Sequence, residues 1–250
     1  MQPSDLTSRV SGLNDWYRLN SATAVLTHAL CAHDTGPDTG PDTGPVTGRL
    51  ALVSSFGAES VVLLHMVSVI RADTPVIFVD TGMLFTETLV YQHELAERLG
   101  LRDLRIVRAS DVDDGTLHQR DPDACCAVRK TAPLHHALSG FDGWITGRKR
   151  YHSDTRQSLE FFELEDGTGR MKINPLAHWR PLDVQTYMTE NRLPRHPLVA
   201  QGYPSIGCMP CTTPVAQGED PRSGRWRGHT KTECGIHVVD GKLIPTGENA

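Results

Sequence analysis

From residue 49 onward, short apolar runs alternate with longer stretches in which apolar residues recur every three or four positions. Leu50–Val53 fits a buried parallel strand, and the stretch carrying Val61, Val62, Leu64, His65, Val67, Val69 and Ile70 fits a helix. Pro75–Val79 predicts a second strand, Thr86–Leu99 a helix, and Leu104–Arg108 and Trp144–Thr146 two further strands. Strands alternating with helices predict an α/β fold with a parallel sheet covered on both faces. Phe161–Glu165 and Met171–Ile173 then read as a hairpin around DGTGR. Pro181 opens a helix with Leu182, Val184, Tyr187 and Met188 on one face. Before this region, residues 4–33 predict helix, with Val10, Leu13, Trp16, Tyr17, Ala24, Val25, Leu26 and Leu30 at helical spacing. Residues 33–48 iterate Asp-Thr-Gly-Pro, which neither helix nor strand interior accepts, so they predict a flexible linker without chemistry.

Four loops follow predicted strands: SSFGAES (54–60), DTGMLF (80–85), ASDVDD (109–114) and TGRKR (146–150). In open parallel sheets ligands bind at that edge. SSFGAES combines serine hydroxyls, a glycine and a following helix N-terminus, the ingredients of an anion cradle, but lacks the GK[ST] ending of a Walker A loop.

The chemistry-bearing residues are cysteines. Cys125 and Cys126 are adjacent in DPDACCAVRK, and Cys208 and Cys211 form a CxxC in GYPSIGCMPC. Four thiolates from two distant segments suit either zinc or an iron–sulfur cluster, and either would staple the segments together. Adjacent cysteines wrap a single ion poorly and suit the separated corners of a cluster better. The Pro- and Gly-rich stretch 191–224 needs such a support. Cys31 ends the N-terminal helical segment and reads as a plain core thiol. Cys234 sits in a polar stretch, KTECGIH, where Lys231 and His237 could lower its pKa, as a nucleophile requires.

A length of 250 residues with 38% hydrophobic and 22% charged residues is ordinary for a globular chain. The first residues lack the basic and apolar blocks of a secretory signal, and Val61–Ile70 is too short to span a bilayer. A cytoplasmic location is expected, in which thiols serve as ligands or nucleophiles rather than disulfides. The net charge of −5 argues against nucleic-acid binding. The basic residues nevertheless cluster, as Arg148, Lys149, Arg150 and Arg156 and as Arg222, Arg225, Arg227 and Lys231. With Arg129 and Lys130 they point to a small, strongly anionic ligand.

CCAVRK, GYPSIGCMPC and KTECGIH, together with SSFGAES, DTG and TGRKR, resemble the assimilatory sulfonucleotide reductases over residues 49–240, and best the iron–sulfur-bearing adenylyl-sulfate (APS) reductases. The resemblance implies a Rossmann-like open sheet of the adenine nucleotide alpha hydrolase-like kind with a C-terminal catalytic tail. Together with the residue pattern, it divides the chain into a helical segment (1–33), a linker (34–48), a nucleotide-binding reductase domain (49–204) and a cluster-binding segment with the tail (205–250). It implies a [4Fe–4S] cluster on Cys125, Cys126, Cys208 and Cys211. Cys234 would attack the sulfur of APS to give an S-sulfocysteine, which thioredoxin or a similar dithiol would reduce to sulfite. Ser54, Ser55, Phe56, Gly57, Ala58, Glu59 and Ser60 would line the nucleotide pocket, with Asp80, Thr81, Gly82 and Gly147 against the adenosine. Lys130, Arg156, Arg222 and Arg225 would bind the phosphosulfate, and His237 completes the substrate set. A homo-oligomer is compatible with the resemblance. The sequence departs from it in the repeat, in Ser60 where an acidic residue is common, and in a short segment between Arg225 and Cys234. Alternative readings are a reductase of 3′-phosphoadenylyl sulfate (PAPS) or of both nucleotides, an adenylating ATP pyrophosphatase, and a zinc-stapled binding module without catalysis. The first needs extra cations at the ribose; the second lacks its SGGxDS loop.

Overall fold

The computed structural model describes residues 3–31, 48–109, 115–228 and 231. Cys234, His237, nearly all of the 33–48 repeat and all but the first residue of ASDVDD lie outside them. Six strands, β1 (Leu50–Val53), β2 (Val76–Val79), β3 (Leu104–Val107), β4 (Gly143–Ile145), β5 (Phe162–Leu164) and β6 (Met171–Ile173), form one sheet in the order β3-β2-β1-β4-β6-β5. All neighbours are parallel except β5 and β6, the antiparallel hairpin predicted around DGTGR.

Pleating sends alternate residues to opposite faces. Leu50 and Leu52 of β1 join Val76 and Phe78 in the larger core cluster. Ala51 joins Ile77, Val79 and Trp144 in the smaller one. The larger face is covered by α1 (Pro3–Tyr17), α2 (Ala22–Cys31), α3 (Ser60–Ile70), α4 (Thr86–Leu99) and α8 (Pro181–Glu190). Two short helices, α5 (Leu117–Arg120) and α6 (Pro122–Cys126), lead through a π-helical turn (Ala127–Thr131) into α7 (Ala132–Ala137), which covers the smaller face with Leu134.

Two expectations change. The N-terminal helix is two helices, because Ser21 ends the exposed turn Arg18–Ser21 by accepting a hydrogen bond from the Ala24 amide at 3.2 Å, the geometry of an N-cap. Trp16 then faces outward, 54% exposed, while Leu13, Val25, Leu26 and Leu30 are buried. On α8 only Val184 and Met188 are buried; Leu182, in the first turn, points to solvent. Cys31 packs half-buried against the larger core, as a core thiol should.

β1 and β4 are adjacent, and the chain leaves them toward opposite sides of the sheet. That makes the crevice at their C-terminal ends the topological switch point, where this class of sheet binds ligands.

Candidate active site

A cavity of about 680 Å³ opens at this switch point. The loop after β1 supplies Ser54, Ser55, Gly57, Ala58, Glu59 and Ser60 to its wall. The loop is braced by itself: the Phe56 amide donates to Ser54 Oγ at 3.2 Å and the Gly57 amide to Ser60 Oγ at 3.0 Å. Phe56 adopts φ +50° and packs edge-on against Phe78, so it lies beneath the loop rather than on the cavity wall.

The loop after β4 contributes Gly147 and, through the turns that follow, Arg156. It also brings Arg148 and Lys149 of the basic cluster, and two residues not singled out in the sequence, Tyr151 and His152. Their signal was the continuation of TGRKR into YH. Glu59 gathers three of them, accepting from Lys149 Nζ at 2.9 Å, Tyr151 Oη at 2.9 Å and His152 Nε2 at 3.1 Å. Burial alone would raise the Glu59 pKa, but the His152 and Lys149 contacts outweigh it and hold the carboxyl well below its usual range. Burial lowers the pKa of both Lys149 and His152, with Glu59 opposing the shift in each.

Arg148 pairs with Glu163, Arg150 with Glu160, Arg227 with Glu219 and Lys231 with Asp123. Lys130, Arg156, Arg222 and Arg225 line the cavity. Arg225 packs closely on Gly207, where a Cβ would stand 2.1 Å from its guanidinium. Its guanidinium also lies over the Trp226 ring at 4.5 Å.

The helix carrying the cysteine pair is shaped for this wall. Asp121 caps α6 through the amides of Asp123 and Ala124, with Pro122 in the first position. Pro133 has no amide to offer the Arg129 carbonyl four residues earlier, and the helix widens into the π-turn just before it. Cys126 and Lys130 then reach the cavity, while Arg129 turns inward and donates to the Thr81 carbonyl at 3.1 Å. Thr81 is also a wall residue, its hydroxyl 3.2 Å from Cys208 Sγ. Asp80 and Gly82 stand behind it: Asp80 accepts from the Gly82 amide at 2.9 Å and pairs with Arg108 at 2.7 Å.

Cys208 is held against the DTGMLF loop by a bridge to Leu84 and by the Met209 amide donating to the Met83 carbonyl. Cys126, Cys208 and Cys211 all line the cavity, and Cys125 is buried beside Cys126. Burial, then the neighbouring Cys208 and Cys126, push the Cys211 thiol up to about 11, with Arg225 opposing and Cys125 adding to the rise. The three other sulfurs therefore all act on Cys211, from both segments. Among the described residues, no three His, Cys, Asp or Glu side chains group as ligands of a single metal ion. Lys231 is buried against the same helix. Burial opposes its charge, but Asp123 and Cys126 outweigh burial and raise its pKa.

Residues 49–214 match the phosphoadenosine phosphosulfate reductase domain. The chain belongs to that family. Its similarity to curated members runs through most of its length. An adenosine 5′-phosphosulfate reductase of Mesorhizobium japonicum is 50% identical over 76% of each chain. A phosphoadenosine 5′-phosphosulfate reductase of Gloeobacter violaceus is 42% identical over 76% of this chain and 83% of its own. Among solved structures, the phosphate complex of a phosphoadenylyl-sulfate reductase from Candida auris aligns with a TM-score of 0.68 and 27% identity, over 82% of this chain and 96% of that one. An FMN adenylyltransferase of Candida glabrata, with a TM-score of 0.56 and 16% identity over 88% and 80%, shares the fold alone. The fold is the adenine nucleotide alpha hydrolase-like one, and the family's members are oxidoreductases acting on sulfur.

Proposed function

We propose that the chain reduces adenosine 5′-phosphosulfate to sulfite and AMP, with Cys234 as the nucleophile. The observation that carries this reading is the meeting, in one cavity at the switch point, of a serine-braced loop, six lysine and arginine side chains and the cysteine segments. Ser54–Ser60 and Gly147 form the nucleotide end, and Lys130, Arg156, Arg222 and Arg225 hold the phosphosulfate. The Cys234 thiolate attacks the sulfur, an S–S bond forms, and the S–O bond breaks with its electron pair leaving on AMP. Negative charge grows on the bridging oxygen in that step, so cations there stabilise the transition state more than the ground state. Arginine forks suit the oxygens of both groups. A dithiol, for which thioredoxin is the natural class, then attacks the S-sulfocysteine, restores the Cys234 thiol and releases sulfite as it becomes a disulfide.

Cys125, Cys126, Cys208 and Cys211 would hold a [4Fe–4S] cluster. Four soft sulfur donors without an imidazole or carboxylate, three of them close enough to act on Cys211, fit that group. When bound, it would supply structural and electrostatic support beside the substrate. Lys130, four residues after Cys126 on a shared wall, connects the two sites.

The pairing of cations favours APS over PAPS. A 3′-phosphate at the ribose would ask for further positive charge, yet Arg148, Lys149 and Arg150 beside the nucleotide loop are matched by Glu163, Glu59 and Glu160. Mixing the anaerobic protein with APS should add one sulfonate to Cys234, absent in Cys234→Ser, and reduced thioredoxin should release it as sulfite. Sulfite release that is faster with PAPS would reverse the assignment of substrate. An unmodified Cys234 in iron-replete protein would overturn the mechanism.

A further inference from the structure

Lys231 is a lysine in a polar stretch, yet its side chain is only 3% exposed. Lysine is among the residues least often buried, and a buried ammonium needs partners. Here Nζ donates to the Pro122 carbonyl at 3.1 Å and to Asp123 Oδ1 at 2.6 Å, and it also donates toward the Cys126 sulfur. It lies 5.7 Å from the centre of the Trp226 ring. Three of these four groups belong to α6, which bears the cysteine pair. The fourth is tied to the other cysteine segment, because the Trp226 amide donates to the Cys211 carbonyl at 3.0 Å. One ammonium thus joins both cysteine segments and fixes the chain at a single point beside Cys126, a wall residue of the cavity.

Cys234 is the third residue after this point. Three extended residues span at most about 10 Å, so the anchor bounds where that sulfur can go. We infer that Lys231 is a positioning residue for the reaction: its contacts with Asp123, Pro122 and Cys126 fix the origin from which Cys234 reaches the cavity. The inference rests on the proposed role of Cys234 and adds to it the element that sets its reach. Removing the anchor leaves the nucleotide wall intact but enlarges the volume Cys234 samples, so the rate of attack falls while nucleotide binding stays.

Lys231→Met keeps the apolar stem and removes the charge, Lys231→Arg keeps the charge, and Asp123→Asn removes the partner from the other side. Each is compared with the unaltered protein for AMP affinity, iron per chain, and the single-turnover rate of sulfonate transfer from saturating APS to Cys234. Lys231→Met and Asp123→Asn should hold AMP within about threefold, keep their iron, and transfer at a rate lower by about tenfold or more. Lys231→Arg should recover part of that loss, and the Met/Asn double variant should be no slower than either single. Transfer unchanged in both single variants overturns the inference, and so does slowing that only tracks lost iron, since Lys231 would then serve the cysteine centre alone. Absence of transfer in the unaltered protein would instead overturn the proposed function, and this inference with it.

Discussion

His196 shows how much a single buried group can decide. Its Nδ1 accepts from the Leu198 amide at 3.2 Å, so the proton sits on Nε2 and is donated to Thr88 Oγ1 at 3.1 Å. The ring also packs against Tyr91 at 4.8 Å. Burial lowers its pKa to about 4, against a weaker opposing pull from Glu87. A protonated imidazole has no acceptor to give Leu198, so the folded state refuses the proton that the unfolded chain takes near pH 6.5. Stability is therefore whole above pH 6.5 and is lost as pH falls toward 4, where both states become protonated and the loss levels off. Between pH 6.5 and 5 the expected cost is roughly 1.5 kcal/mol. Urea denaturation across that range should show it. His196→Asn should be less stable at pH 7, because the Thr88 bond is gone, and should have a shallower pH slope by about that amount. An unchanged slope would mean that other histidines carry the acid sensitivity. None of this was visible in the sequence, where His196 is one of 12 histidines and no spacing marks it.

Elements differ in how plainly the sequence declares them. β1 and α4 have the bounds their apolar patterns predict, because each pattern is strong and ended by turn residues or a left-handed glycine, Gly100 in the case of α4. The break at Ser21 escapes a periodicity argument, since apolar residues continue in phase on both sides of a four-residue exposed turn that itself contains Leu19. The π-turn escapes it too, because it depends on Pro133 acting on a carbonyl four residues back. The stretch 191–228 has the least local pattern and the most dependence on partners distant in sequence. Its clearest fixed point is Gly224: its carbonyl accepts from the Thr213 amide at 2.8 Å, and a Cβ there would lie 2.2 Å from the Thr213 carbonyl oxygen. That oxygen is backbone and cannot swing away. Gly224→Ala should therefore pry the Arg222–Trp226 turn from the CxxC segment, with a cost of about 2–3 kcal/mol in chemical denaturation. Nucleotide affinity should fall with it, because Arg222 and Arg225 ride on that turn. A variant of unaltered stability and affinity would show that the turn re-forms around the methyl group.

At the scale of the whole molecule, two kinds of cohesion meet at the switch point. The sheet and its helices are held by apolar burial, with β1 and β2 almost wholly enclosed and Val61–Leu64, Met66 and Val67 of α3 buried. Among the described residues beyond 191, few large apolar side chains are buried: Leu198, Ile206 and Trp226. That region is held by backbone hydrogen bonds to the DTGMLF loop and by Lys231, and the proposed cluster would add to them. The cavity wall is built from both, so its shape depends on the less cohesive half. Replacing both Cys208 and Cys211 by serine should therefore not unfold the sheet. Its far-UV signal should persist and its melting temperature should drop by only a few degrees, about what a loss near 1 kcal/mol gives in a domain this size. Trypsin should cut at Arg222, Arg225 or Arg227 about tenfold faster than in the iron-loaded protein, because that half opens on its own. A single cooperative transition in which sheet and loop are lost together would instead place the cysteine segments inside the folding core, and the cavity would then be as rigid as the sheet that bears it.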